Sequence, residues 1–225
     1  MQTLDMSEID LREVNDRLHR AKEQGGKWEI LNPRGLHNIA VGLDGPLDVT
    51  VRGHVGSYCA GMNQHANVTV EGNAGAGLAE NIMSGRVHVR GYASQACGAT
   101  GHGGLIVVDG DATARCGISM KGVNIVVGGS VGHMSAFLGQ AGNLVVCGDA
   151  GSSFGDSVYE ARLYVRGKVE SLGADCIEKE MTPEHVEIVR DLLEQAGMDA
   201  DPNEFRRYGS ARELYNFKIT NIGYI

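Results

Sequence analysis

Several features are missing from this 225-residue chain, and each absence removes a class of function. There is no basic stripe: 20 Lys and Arg stand against 28 Asp and Glu, for a net charge of −8, which argues against nonspecific nucleic-acid binding. No apolar run approaches the roughly 18 residues of a membrane-spanning helix, and the N-terminus lacks a secretory apolar segment. The five cysteines include no CxxC pair. They fit a reducing, cytoplasmic compartment rather than a disulfide framework or a zinc ribbon. The eight histidines show no HExxH spacing. Neither a nucleophile–base pair nor a set of convergent carboxylates is visible. The expectation is a chain with no catalytic, cofactor-binding or metal-binding residues of its own.

What the chain has in excess is glycine, 33 residues, about twice the usual share of ~7%. The glycines fall on a period. DVTVRG, NVTVEG, RVHVRG, LIVVDG, NIVVGG, NLVVCG and RLYVRG end at Gly53, Gly72, Gly91, Gly110, Gly129, Gly148 and Gly167, always 19 residues apart. A fixed period of this kind marks a solenoid, in which each unit buries its face against its neighbours. Val49, Val68, Val87, Ile106, Ile125, Leu144 and Leu163 form one apolar column. Val51, Val70, Val89, Val108, Val127, Val146 and Val165 form another, two residues on, and so on the same side of a strand.

Nineteen residues cannot hold a crossover helix together with strands and turns. They can hold short strands with tight bends. The fold class expected is all-β: a right-handed parallel β-helix of seven regular coils, with coils about 4.8 Å apart and a rod roughly 30 Å long. A β-sandwich is the competing reading, but sandwich loops vary in length and this period does not. Glycine at each corner is expected to supply backbone angles that a Cβ would resist.

Other columns bear on surface and chemistry. Arg52, Glu71, Arg90 and Asp109 alternate in sign, which would pair charges between neighbouring coils. The outward column Thr50, Thr69, His88, Val107, Val126, Val145, Tyr164 turns apolar in its middle. Val107, Val126 and Val145 are therefore the candidate partner interface, with this chain's own terminal helix or tail as the alternative cover. Cys59, Cys97 and Cys116 share one ladder, but Leu78 separates the first two, so a buried small-residue ladder is preferred to a metal site. Gln64, Met83, His102, Lys121, Gln140 and Tyr159 form a ladder expected on a solvated turn. The glycine strings at 72–77 and 148–155 resemble phosphate loops but lack the strand–turn–helix context.

The flanks divide the chain into an N-terminal helical segment (1–27), a β-helix domain (28–175) and a C-terminal helix with an aromatic docking tail (176–225). Residues 7–24 read as a helix with Ser7 at the N-cap and an apolar face of Leu11, Val14, Leu18 and Ala21. Residues 28–45 read as an irregular first coil. Thr182-Pro183 opens a helix over 183–196, with a stripe of Val186, Val189, Leu193 and Ala196, expected to plug the last coil. Phe205, Tyr208, Tyr215, Phe217 and Tyr224 concentrate the aromatic content in the tail.

The glycine spacings, with each strand ending on V-x-G, resemble the GXGXG family, the β-helix at the C-terminus of the glutamate synthase large subunit. The resemblance covers roughly residues 34–175. LNPRGLHNIAVGL, GDAGSSFGDSVYEARLYVRG, SLGAD and ARELYNF are similar to a narrower group, the β-helix subunit of methylamine–glutamate N-methyltransferase, or N-methylglutamate synthase. That resemblance implies a non-catalytic subunit of a transferase complex in methylamine metabolism. It would sit between an amidotransferase-like subunit and a synthase-like subunit carrying FMN and an iron–sulfur cluster, and would help shape a passage for ammonia. The β-helix subunit of formylmethanofuran dehydrogenase and a self-standing assembly protein are the alternatives.

Overall fold

The computed structural model describes residues 1–213. Tyr215, Phe217 and Tyr224 lie outside them. The architecture is a right-handed parallel β-helix with flanking helices. One strand per coil builds an 11-stranded sheet in the order β1-β2-β3-β4-β5-β6-β7-β8-β9-β11-β10. The strands are β1 Gln2–Asp5, β2 Gly26–Leu31, β3 Leu47–Arg52, β4 Asn67–Val70, β5 Arg86–Val89 and β6 Leu105–Val108. They continue with β7 Lys121–Val127, β8 Ala141–Val146, β9 Arg162–Val165, β10 Cys176–Lys179 and β11 Arg206–Ser210. From β3 to β9 the register is that of the repeat, Val49 on Val68 on Val87 and so on to Leu163. Both apolar columns point inward and are essentially inaccessible. Two residues beyond each glycine, Val55, Ala74, Ala93, Ala112, Val131, Ala150 and Val169 stack as single parallel bridges, a second and narrower wall.

The repeat glycines are needed for a different reason from the one expected. Of the seven, only Gly53 has a left-handed φ, +134°. The others are forced by the approach of one coil to the next. Gly91 N–H donates to the Gly72 carbonyl, Gly110 to Gly91, Gly129 to Gly110, Gly148 to Gly129 and Gly167 to Gly148, at 2.8 to 3.1 Å. A Cβ on Gly148 would lie 2.7 Å from the carbonyl carbon and oxygen of Gly129, closer than any packed side chain tolerates. The left-handed angles fall elsewhere, five, seven and nine residues after the glycine. In one coil they belong to Tyr58, Ala60 and Met62, and in another to Met134, Ala136 and Leu138. A left-handed residue with a Cβ costs roughly 1–2 kcal/mol. Inter-coil hydrogen bonds offset that cost: Tyr58 N–H donates to Ala76 and Met62 N–H to Glu80 in the following coil, and Ala60 N–H to Ile39 in the preceding one. Alternating chirality turns successive amides in opposite directions along the rod, so a non-strand segment still pairs on both sides.

The ends are closed by irregular elements. β2 pairs with β3 at an offset of 21 residues, Trp28 on Val49, so the first coil is two residues longer than the repeat. Asn32 then takes the corner position, at φ +55°, an angle that asparagine tolerates better than most residues. Before it, β1 pairs in parallel with β2, adding a rung that sequence reading missed within the N-terminal segment. Between these strands, helix α1 (Leu11–Arg20) crosses the end of the core and buries Val14 and Leu18. It begins four residues later than expected. Asp10, not Ser7, is the N-cap and accepts from Glu13 N–H, because Ser7 is held in a turn by the Asp5 carboxylate. Asn15 of α1 donates to the Asn38 carbonyl and accepts from Ala40 N–H, at 2.9 Å each, satisfying backbone groups that the first coil would otherwise leave open.

At the other end, helix α2 (Pro183–Ala196) has the expected boundaries and ends on left-handed Gly197. It is not the plug. β11 pairs antiparallel with β9, and β10 lies outside β11. Tyr208 of β11 meets Phe154 edge-on at 6.0 Å over the last coil. An antiparallel strand closes a parallel edge more completely than a helix does, because it satisfies the edge's backbone donors and acceptors directly.

The coil-to-coil contact predicts an order of sensitivity. Gly148→Ala places a methyl against the Ser130 hydroxyl and, at 2.7 Å, against Gly129 backbone that cannot move. Gly110→Ala instead meets the ring of Tyr92, which is more than half exposed and free to swing, and a backbone oxygen, that of Gly91, at the longer distance of 3.0 Å. We expect Gly148→Ala to cost about 1–3 kcal/mol, in the range of overpacked cores, and Gly110→Ala clearly less. Urea midpoints of the two variants check this. Equal midpoints would refute the close-approach account.

Candidate functional site

The outward sheet face is where sequence reading placed the partner, and the structure corrects it. Val107, Val126 and Val145 are fully buried within this chain. They form a second apolar core with Tyr164 of the sheet, Val189, Leu192, Leu193 and Ala196 of α2, and Phe205. α2 is therefore a lid on the sheet face. The helix is turned slightly from the expected stripe: His185 and Leu192 are buried with Val189, Leu193 and Ala196, while Val186 is only half-buried. The rotation matters chemically, because it brings His185 Nδ1 within 2.9 Å of the Tyr164 hydroxyl. Burial pushes Tyr164 up to about 12. Burial first, then the guanidinium groups of Arg207 and Arg162, lower His185 below its ordinary value. The pair is thus a neutral hydrogen bond at physiological pH. The intramolecular cover is favoured simply by proximity: α2 is tethered by a short connection to the last coils and loses little entropy in docking.

Where α2 ends, the face changes character. His88 is buried and its Nε2 lies 2.7 Å from Asp109, which also meets Arg90 at 3.4 Å. Arg52 pairs with Glu29 at 2.7 Å and sits 3.9 Å from Glu71. The alternating charges do meet across coils, but His88 and Glu29 join them, and these two were not anticipated.

The interior ladder Cys59, Leu78, Cys97, Cys116, Ser135, Phe154 has no exposed member. Burial pushes the Cys59 thiol up to about 12, and contact with Cys97 together with burial holds Cys116 well above the ordinary thiol value. Among the described residues no group of three His, Cys, Asp or Glu side chains is arranged to hold a metal ion. Sequence reading missed a second polar ladder, at the residue after each glycine. Asn73 accepts from Tyr92 N–H, Asp111 from Ser130 N–H, Ser130 from Asp149 N–H, and Asp149 from Lys168 N–H, each at 2.7 to 3.0 Å. The available signal was the run of acceptor-bearing residues in that one column. Its role is to satisfy the amides that follow the corner, where no strand ladder reaches them.

No family model matches this chain, and no solved structure matches it. It is 63% identical to Protein GlxC of Rhizobium meliloti (strain 1021) over 224 residues, which cover 98% of both chains. The chain belongs to the GlxC family. A coil is 19 of 225 residues, so coverage this complete leaves no room for one coil more or less between the two members. The closed ends and the lid helix described above therefore belong to a rod whose length the GlxC family holds in common for these two chains.

What this GlxC-family rod leaves open is its loop side. Tyr58, Met62, Met83 and Leu36 are exposed large apolar residues there, and the Leu36 carbonyl accepts from Gly56 N–H, so Leu36 lies one coil below Tyr58. Met83, His102, Lys121 and Gln140 are exposed, as a solvated turn requires.

Two predictions follow from burial. Val126→Lys places an ammonium between sheet and lid helix without a counter-ion. We expect it to destabilise the isolated chain by several kcal/mol, seen as a large fall in melting temperature. A variant that melts like the wild type would mean that α2 does not cover the strip. The described cysteines are all buried and free, so an alkylating or disulfide reagent at pH 8 should label none of the five rapidly in the native protein and all five in denaturant. Fast labelling of any one would contradict the closed interior.

Proposed function

We propose that the chain is a non-catalytic, scaffolding and channel-shaping subunit of a glutamate-synthase-like complex, in particular N-methylglutamate synthase, which converts methylamine and glutamate to N-methylglutamate and ammonia. It would lie between an amidotransferase-like subunit and a synthase-like subunit, the latter carrying the FMN and the iron–sulfur cluster. The observation that carries this reading is the unbroken ladder of 19-residue coils ending on V-x-G, which resembles the GXGXG β-helix of glutamate synthase. The physical character of the rod supports it. A solenoid whose coils are hydrogen-bonded on both walls is stiff along its axis, and stiffness is what a spacer between two catalytic subunits requires.

The packing also refines the channel idea. The interior columns are filled from Ile30 to Phe154 by side chains with no accessible surface. An ammonia or methylamine passage would therefore run along the outside of the rod, between it and a neighbouring subunit, and not through its axis. The sheet face is taken up by α2 over its middle coils, so the loop side around Tyr58 and Met62 is where this reading places a partner.

The test is assembly. Co-expressed with an amidotransferase-like chain and an FMN and iron–sulfur synthase-like chain of this type of complex, the protein should purify as one complex that contains all three. Purified alone, it should show no flavin absorbance and no bound iron. Failure of the three to associate, or stoichiometric flavin on the chain alone, would overturn the proposal. Pterin-oxidoreductase partners in place of these two would move the chain to the formylmethanofuran dehydrogenase reading.

A further inference from the structure

The last coil, the two closing strands and the start of α2 meet around a polar cleft of about 200 Å³. Its lining is unusual for a chain with a net charge of −8. Arg162 comes from β9, Lys179 from β10, Arg207 from β11 and Arg212 from just beyond it. Among the described residues two carboxylates, Glu160 and Glu184, stand against these four cations. Glu160 already pairs with Arg212 at 2.9 Å. Arg162 and Lys179 make no ion pair or side-chain hydrogen bond among the described residues. Among the described residues Arg207 donates only to the Glu180 backbone carbonyl, at 3.3 Å, and its buried Nε has no hydrogen-bond partner.

A buried guanidinium N–H without an acceptor is a strong departure from the rule that buried donors are satisfied. It points to an acceptor that belongs there. The surroundings favour a negatively charged one. The N-terminus of α2, a 14-residue helix, borders the cleft through Glu184 and His185, and its N-cap Thr182 makes no side-chain capping bond. Pro183 has no N–H, and the His185 and Val186 amides donate to the Thr182 carbonyl, so what the helix offers an anion is the Glu184 amide and the positive end of its dipole. His185, held by Tyr164, is kept neutral by burial and by the same guanidiniums, so it adds a rigid wall without adding to the carboxylate or ammonium count.

We propose that this cleft is a binding site for a small oxyanion, carboxylate or phosphate, recognised by Arg207, Arg162 and Lys179 together. Planar guanidiniums suit both groups, since each accepts two parallel N–H bonds. The cleft's size of about 200 Å³ suits a compact metabolite. The site joins four elements of the C-terminal end, so occupancy would tie β9, β10, α2 and β11 together and stiffen the closed end of the rod.

The experiment is a calorimetric titration and a thermal melt of the full chain with inorganic phosphate and, separately, with succinate, at ionic strength held constant with sodium chloride. Saturable binding of at least one of them is expected, with a melting temperature that rises with ligand in the manner of native-state linkage. Arg207→Gln and Lys179→Gln should each weaken binding at least tenfold. Arg52→Gln, six coils away on the sheet face, should leave it unchanged. Lys179 is half-buried and its variant will fold even if Arg207→Gln does not. Binding of phosphate alone or succinate alone identifies the group recognised. No saturable binding of either, or equal affinity in the wild type and Lys179→Gln, would overturn the proposal.

Discussion

Everything in this protein depends on how closely one coil can lie on the next. Backbone hydrogen bonds run along the rod on both walls and through the loop segments between them, and they form only if every coil sits one strand spacing from its neighbours. That spacing leaves no room for a Cβ at the corner, and Gly148 against Gly129 shows it directly. The same spacing makes insertions costly. One extra residue in a central coil would break the register of strand, corner, narrow wall and left-handed loop at once. Seven copies without an insertion are the sequence record of that constraint.

Stacking solves the interior and creates a problem at each end. A solenoid has two open ends, each with unpaired backbone and exposed core. This chain closes them by unlike means. At the N-terminal end α1 lays two apolar residues on the core, and Asn15 satisfies the first coil's amide and carbonyl. At the C-terminal end β11 reverses direction and pairs with β9. The reversal draws β10, β11 and the start of α2 onto the last coil, and their junction gathers the cations of the cleft. The cleft is thus a consequence of how the rod is terminated.

The lid helix follows from the sheet face. Once the outward column becomes valine in three successive coils, that face is as apolar as a core, and water must be removed from it. α2 does so with Val189, Leu192, Leu193 and Ala196. Val189, Leu192 and Leu193 each contribute about 1.5–3 kcal/mol when fully buried, and Ala196 less, and a tethered helix loses less entropy in covering the strip than a separate subunit would. Any partner must therefore bind elsewhere, which is why the exposed loop side acquires importance.

The sequence alone determined the period, the parallel β-helix, the inward columns, the buried cysteine ladder and the bounds of α2. These are legible because each rests on a rule that repeats locally: alternation along a strand, one glycine per coil, proline at a helix start. Tertiary structure alone decided the rest. The reason for the glycines lay in the neighbouring coil's carbonyl, which no single repeat contains. The left-handed angles went to Tyr58, Ala60 and Met62, residues that carry no local signal for them. β1 became a rung and Asp10 displaced Ser7 as the cap because Asp5 had already engaged Ser7. The valine strip was readable as apolar, but whether α2 or another chain covered it depended on where the connection after β10 led. The cleft brings Arg162, Lys179 and Arg207 together from three strands, and a contact between residues that far apart in the chain leaves no pattern in the sequence around any of them.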